Sequence, residues 1–173
     1  ALFFFFFYGA VFAIVSRKEG DRDGYLWQYR LSDDGNGSVT GVKVRSFGKW
    51  SGRGEIEAIA VDDKLGYVYY SDENCGIRKY MANPDARQAN EELALFGTEG
   101  FAEDREGISI YCNADGRGYI LVSDQQSDAF RVFPRQGGQD NPHAHRLIAV
   151  LNLSTHESDG SDVVSRTLGG KYK

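Results

Sequence analysis

Apolar residues fall in short runs along this chain, often alternating with polar ones, and the runs end in glycine, asparagine, aspartate or serine. Tyr25-Leu-Trp-Gln-Tyr-Arg-Leu31 alternates as a half-buried strand does, with successive side chains on opposite faces. Ser32-Asp-Asp-Gly-Asn-Gly-Ser38 then reads as a hairpin turn, and Val42-Lys-Val-Arg-Ser-Phe47 as the returning strand. The same pattern predicts strands over 56–61, 67–71, 77–80, 93–96, 108–111, 119–123, 130–133 and 147–151. The single helix candidate is 85–95, and its second half fits a strand equally well. A strand roughly every 10–15 residues suits a sandwich, a barrel or a propeller.

An internal repeat chooses among them. Glu57-Ala-Ile-Ala-Val leads into Gly66-Tyr-Val-Tyr-Tyr-Ser-Asp-Glu73, and Glu106-Gly-Ile-Ser-Ile leads into Gly118-Tyr-Ile-Leu-Val-Ser-Asp-Gln125. Asp159-Gly-Ser-Asp-Val-Val opens a third copy, and Ala13-Ile-Val-Ser16-Arg-Lys18 matches the tail of an earlier one. A period near fifty residues, with four apolar runs per period, is the length of one four-stranded propeller blade. The expected fold is all-β, with about three blades of a propeller. Fifteen apolar residues at the start, Ala1 to Val15 with five consecutive phenylalanines, are too few for a membrane-spanning helix and lack a basic flank or cleavage signal. They read as a buried strand ending at Val15, with 1–11 an atypical segment of truncated, damaged or vector origin and the domain proper over 12–173.

Composition narrows the chemistry. Twenty-one glycines, three prolines and 13% aromatic residues fit an all-β chain with many tight turns. A net charge of −5 argues against nucleic acid as a partner. Cys75 and Cys112 make no disulfide framework and read as free thiols. His143 and His145, with no cysteine nearby, read as part of a polar loop rather than a transition-metal site. Asp34-Gly-Asn36-Gly-Ser38 lacks the sixth-position glycine and the final glutamate of a calcium loop and reads as a turn.

Setting the modules in register yields two sets of equivalent positions. Glu57, Glu106 and Asp159 each precede the innermost strand of a blade; Lys18, Glu73 and Gln125 each stand two residues after a serine that ends the second strand. Innermost strands line the central channel, so these positions converge on one face. Carboxylates gathered there cannot all ionise without a cation, and oxygen-only ligands favour calcium over magnesium.

Beyond the repeat, the chain resembles the β-propeller (alkaline) phytases from about Val15 to Val164. The resemblance rests on Glu57-Ala-Ile-Ala-Val-Asp-Asp-Lys-Leu-Gly-Tyr-Val-Tyr-Tyr-Ser-Asp-Glu73, Asp104-Arg-Glu-Gly-Ile-Ser-Ile-Tyr111, Asp115-Gly-Arg-Gly-Tyr-Ile-Leu-Val-Ser-Asp-Gln125 and Glu157-Ser-Asp159-Gly-Ser-Asp-Val. It implies a six-bladed propeller that hydrolyses phosphate monoesters of phytate (myo-inositol hexakisphosphate, as its calcium complex) with several calcium ions, through metal-activated water. By position, Glu57, Glu73, Glu106 and Asp159 match the acids of the cleavage site, and Asp104 another acid beside it. Lys18 matches a phosphate-contacting lysine and Gln125 a polar residue of the same pocket; Arg17, next to Lys18, is a further substrate-binding candidate. The resemblance also implies a secreted or periplasmic monomer with no membrane partner. The family's further phosphate-binding lysines and arginines have no match here, so these 173 residues alone are expected to be inactive. The alternative is a non-catalytic, calcium-stabilised propeller module that binds a ligand or a protein. The change from Lys18 to Glu73 to Gln125 at one symmetric position suits an asymmetric substrate site better.

Overall fold

A computed structural model describes residues 1–170. They form twelve strands in three sheets of four, each sheet antiparallel and in simple up-and-down order. Sheet one holds β1 (Leu2–Phe7), β2 (Ala10–Ser16), β3 (Asp23–Asp33) and β4 (Val39–Lys49). Sheet two holds β5 (Ile59–Asp62), β6 (Tyr67–Asp72), β7 (Gly76–Met81) and β8 (Ala94–Phe96). Sheet three holds β9 (Ile108–Cys112), β10 (Gly118–Asp124), β11 (Ala129–Pro134) and β12 (Ala149–Asn152). The first strand of each sheet lies beside the first strand of the next, which makes the sheets three successive propeller blades.

The core lies between blades rather than within one. Phe5, Phe12, Ile14, Tyr25, Leu26 and Phe47 of blade one pack on Ile59, Val68, Tyr70 and Tyr80 of blade two. Across the next joint, Ala58, Ala60, Tyr69, Ile77 and Phe96 of blade two meet Ile108, Ile120, Val122 and Phe133 of blade three. Because side chains alternate along a strand, Val68 and Tyr70 serve one joint while Tyr69 serves the other. A bidentate ion pair clamps the second joint: Arg135 Nε and Nη2 donate to Asp62 Oδ2 and Oδ1 at 2.5 and 2.6 Å. Nearby, Lys79 Nζ donates to the Pro142 carbonyl at 2.7 Å and meets His145 Nε2 at 3.1 Å. His145 Nδ1 lies 2.8 Å from the Pro134 carbonyl, so both ring nitrogens are occupied, one by β7 and one by β11.

One expectation from the sequence is corrected, and the phenylalanine run takes a regular place: Leu2–Phe7 is β1, paired residue for residue with β2. Its turn, Tyr8-Gly9, takes positive φ at both positions (45° and 77°), the conformation of a two-residue hairpin. Phe5 is buried and stacks on Phe12 at 5.4 Å, while Phe4 and Phe6 point to the opposite, open face. Segment 85–95, the helix candidate, is a series of turns that ends in β8. Asn83 caps the first turn by accepting the Asp85 amide, and the Leu93 amide donates to the Lys79 carbonyl, drawing the chain onto the blade edge. The expected turn over Ser32–Ser38 is closed by Asp33 and Asp34, which accept the Gly35 and Asn36 amides, and the histidines lie in a loop, where His145 is buried against Tyr69 and Phe96.

A candidate metal centre on the channel face

One tripeptide builds the site twice. In Ser71-Asp72-Glu73 the serine hydroxyl accepts the Ala58 amide at 3.2 Å, fixing the start of the blade's inner strand. Asp72 is wholly buried and accepts from Arg78 Nε at 2.9 Å and from the Ser51 amide and hydroxyl, both at 2.7 Å. Its charge is therefore spent on the fold. Glu73 follows and turns to the channel face. Ser123-Asp124-Gln125 repeats the arrangement: Ser123 Oγ accepts the Gly107 amide at 2.7 Å, and Asp124 pairs with Arg131 at 2.8 Å. Ser16 occupies the same place in blade one and bonds the Ile56 carbonyl at 2.9 Å.

The structure brings Glu57, Glu73 and Glu106 together. Each can offer an oxygen such that the three lie within 4.8 Å of one another. Glu73 is buried, Glu106 half-buried and Glu57 exposed, so the cluster opens to solvent on one side. Glu73 Oε2 is held by the Glu55 amide at 2.6 Å. Gly54 sits so close that any side chain there would strike Glu73 Oε2 and Asn74. Burial raises the Glu73 carboxyl, and the charges of Asp104, Glu57 and Glu55 raise it further. Glu106 is pushed up to about 8, by burial first and then by a proton shared with Glu57 and the charges of Glu57, Glu73 and Asp104. These acids repel one another, and a divalent cation among them would remove the penalty. The donors are carboxylate oxygens with no nitrogen or sulfur, which fits a hard ion such as calcium.

The remaining residues singled out in the sequence surround this trio. Asp104 accepts Gln126 Nε2 at 2.8 Å and faces Glu73 and Glu106. Gln125 donates to Asp159 Oδ1 at 2.6 Å, so Asp159 joins the rim through an amide and stays outside the trio. Gly107 makes that approach feasible, since a Cβ there would come within 3.1 Å of Gly160 Cα. Lys18 reaches the rim but is paired with Glu55, which raises its pKa and lowers that of Glu55. Arg17 is held elsewhere: it donates to the Asp21 carbonyl at 2.8 Å and lies over the Tyr25 and Trp27 rings.

Sequence reasoning missed a third set of equivalent positions. Glu55, Asp104 and Glu157 each stand two residues before Glu57, Glu106 and Asp159, an acid–x–acid signature that opens these three modules. The backbone confirms the register, for the Glu73 amide donates to the Glu55 carbonyl and the Gln125 amide to the Asp104 carbonyl, both at 3.3 Å. Gln126, which links Asp104 to Gln125, had no signal beyond its neighbours.

A family model described as Phytase matches residues 1–173. A 3-phytase of Bacillus subtilis strain 168 is 31% identical over 171 residues, covering 95% of this chain and 41% of its own length. The chain thus spans less than half of that relative. A periplasmic gluconolactonase of Pseudomonas aeruginosa overlays with a TM-score of 0.46 at 16% identity, over 84% of this chain and 37% of that one.

Proposed function

Because this chain belongs to the phytase family, we propose that the whole protein releases phosphate from myo-inositol hexakisphosphate at the Glu57–Glu73–Glu106 cluster with calcium bound there. The observation that carries the reading is the convergence of three carboxylates within 4.8 Å, with Glu106 raised to about 8 by burial and then by its acidic neighbours. Glu57, Glu73 and Glu106 would hold the ion, and Asp104 and Asp159 would add negative charge at its flanks. When bound, calcium supplies charge neutralisation at the phosphoryl oxygens and a water acidified for in-line attack.

The chain's own residues do the rest. Glu73 is held in place through the Glu55 amide, so it does not swing with the exposed rim. Lys18, on a long flexible stem, exchanges its contact with Glu55 for a phosphate oxygen and opposes the charge that develops in the transition state. Gln125, bonded to Asp159, presents an amide at the mouth without adding charge. Among the described residues few cationic side chains reach this rim, so the 173 residues alone are read as a cation-binding portion that releases little phosphate.

The test is calcium-dependent phosphate release from phytate by the whole protein and its Glu106→Gln variant. Loss of partners that merely orient metal ligands costs about 10–100-fold, so removing a ligand should cost at least about 100-fold. Near-normal release by the variant would defeat the assignment. Calcium binding without any phosphate release in the parent protein would favour a binding module instead.

A further inference from the structure

Arg105 stands between two acids of the site, Asp104 and Glu106, yet its side chain turns inward and is 5% exposed. Its Nη1 donates to the carbonyl oxygens of Glu73 and, at 3.3 Å, of Glu103, and its Nε to that of Gly97 at 3.1 Å. The guanidinium lies 4.3 Å from the centre of the Phe101 ring. Glu73 closes the second strand of blade two while Arg105 leads into β9 of blade three, so this contact spans the joint between them. Arg78, Arg131 and Arg135 each meet an aspartate. Arg105 instead ends on carbonyls.

The repeat shows that a blade does not need a cation here. In the acid–x–acid positions the middle residue is Ile56 in one module and Ser158 in another, and Ile56 is a buried member of the first core. A desolvated guanidinium is costly where an apolar side chain suffices. What sets the Glu106 module apart is that its middle residue, Arg105, holds the backbone of a carboxylate belonging to the previous blade.

We propose that Arg105 is a positioning residue for the cation site, fixing Glu73 against Glu106 across the blade joint. The inference rests on the calcium reading of that site. Two effects of the guanidinium oppose one another, which makes the sign informative. Its charge alone repels a cation, so removing it should tighten binding; its hold on Glu73 organises the ligands, so removing it should weaken binding. Positioning predicts that Arg105→Met weakens calcium binding about tenfold in calorimetry on the whole protein. It further predicts no loss of melting temperature in a chelator, since an apolar side chain replaces a buried charge. In a Glu73→Gln background Arg105→Met should have no further effect on affinity. Arg105→Lys, which keeps the charge but has a single donor head, should fall between, and it carries the same comparison if the methionine variant does not fold. Calcium affinity unchanged or tightened, with a lowered melting temperature, would reduce Arg105 to a clamp between blades and overturn the proposal. A parent protein that takes up no calcium would overturn the metal reading, and this inference with it.

Discussion

Cation binding at the glutamate trio should expel a proton, and the one shared by Glu106 and Glu57 should be its source. With a carboxyl raised to about 8, about nine-tenths of cation-free molecules carry that proton at pH 7. A metal ligand must be deprotonated, so binding releases the proton and the apparent affinity follows the ionised fraction. Calcium should bind about tenfold more weakly at pH 7 than at pH 9, and about 100-fold more weakly at pH 6. Calorimetry in buffers of different ionisation enthalpy reads the number of protons directly; about one per calcium is expected at pH 7 and almost none at pH 9. Glu106→Gln should abolish most of the release while folding normally. The shift also has a sign for stability. A carboxyl raised in the folded state stabilises the cation-free protein while protonated, wholly below about pH 4.5, and that contribution is lost as pH rises through about 8. Melting in a chelator should therefore fall across that window, and fall less in Glu106→Gln. An affinity flat from pH 6 to 9, with no proton released at pH 7, would refute the crowding of these acids.

Two further outcomes concern the scaffold. Arg135→Met leaves Asp62 buried without its partner and should cost about 3–5 kcal/mol in urea unfolding, most of it recovered by adding Asp62→Asn; an unchanged midpoint would show that the pair does not hold the second joint. Phe5→Ala opens a cavity beneath the Phe12 ring and should cost about 3–5 kcal/mol. A cost below about 1 kcal/mol would return the phenylalanine run to the status of an appendage.

Much of the blade was legible because a strand that buries one face announces itself by alternation. Tyr25 to Leu31 could be placed in one strand by its alternation, and the repeat of Gly-Tyr runs aligned Tyr67–Asp72 with Gly118–Asp124 without it. The phenylalanine run was opaque for the same reason. A strand apolar on both faces has no alternation, and its turn, Tyr8-Gly9, lacks the usual asparagine or aspartate. The helix candidate failed because local composition permits a helix but a backbone bond from Leu93 to Lys79 requires an edge strand.

The acids divide along the same line. Sequence alone determined that Glu57, Glu106 and Asp159 are equivalent, since internal symmetry is a property of spacing. It also determined that Glu73 shares a position with Lys18 and Gln125, and the family to which the chain belongs. Only the tertiary structure decided which acids are free to act. Asp72 and Asp124 stand one residue from site positions, yet Arg78 and Arg131 consume their charge. Glu55 is engaged by Lys18 and Asp159 by Gln125, whereas Glu57, Glu73 and Glu106 are left facing one another. The physical reason is that spacing along the chain fixes which blade corner a residue occupies, but its packed neighbours set its charge state: an arginine on the next strand for Asp72 and Asp124, and groups across the joint for Glu55, Asp159 and the trio. The neighbours across the joint lie far away in sequence, and packing alone brings them together.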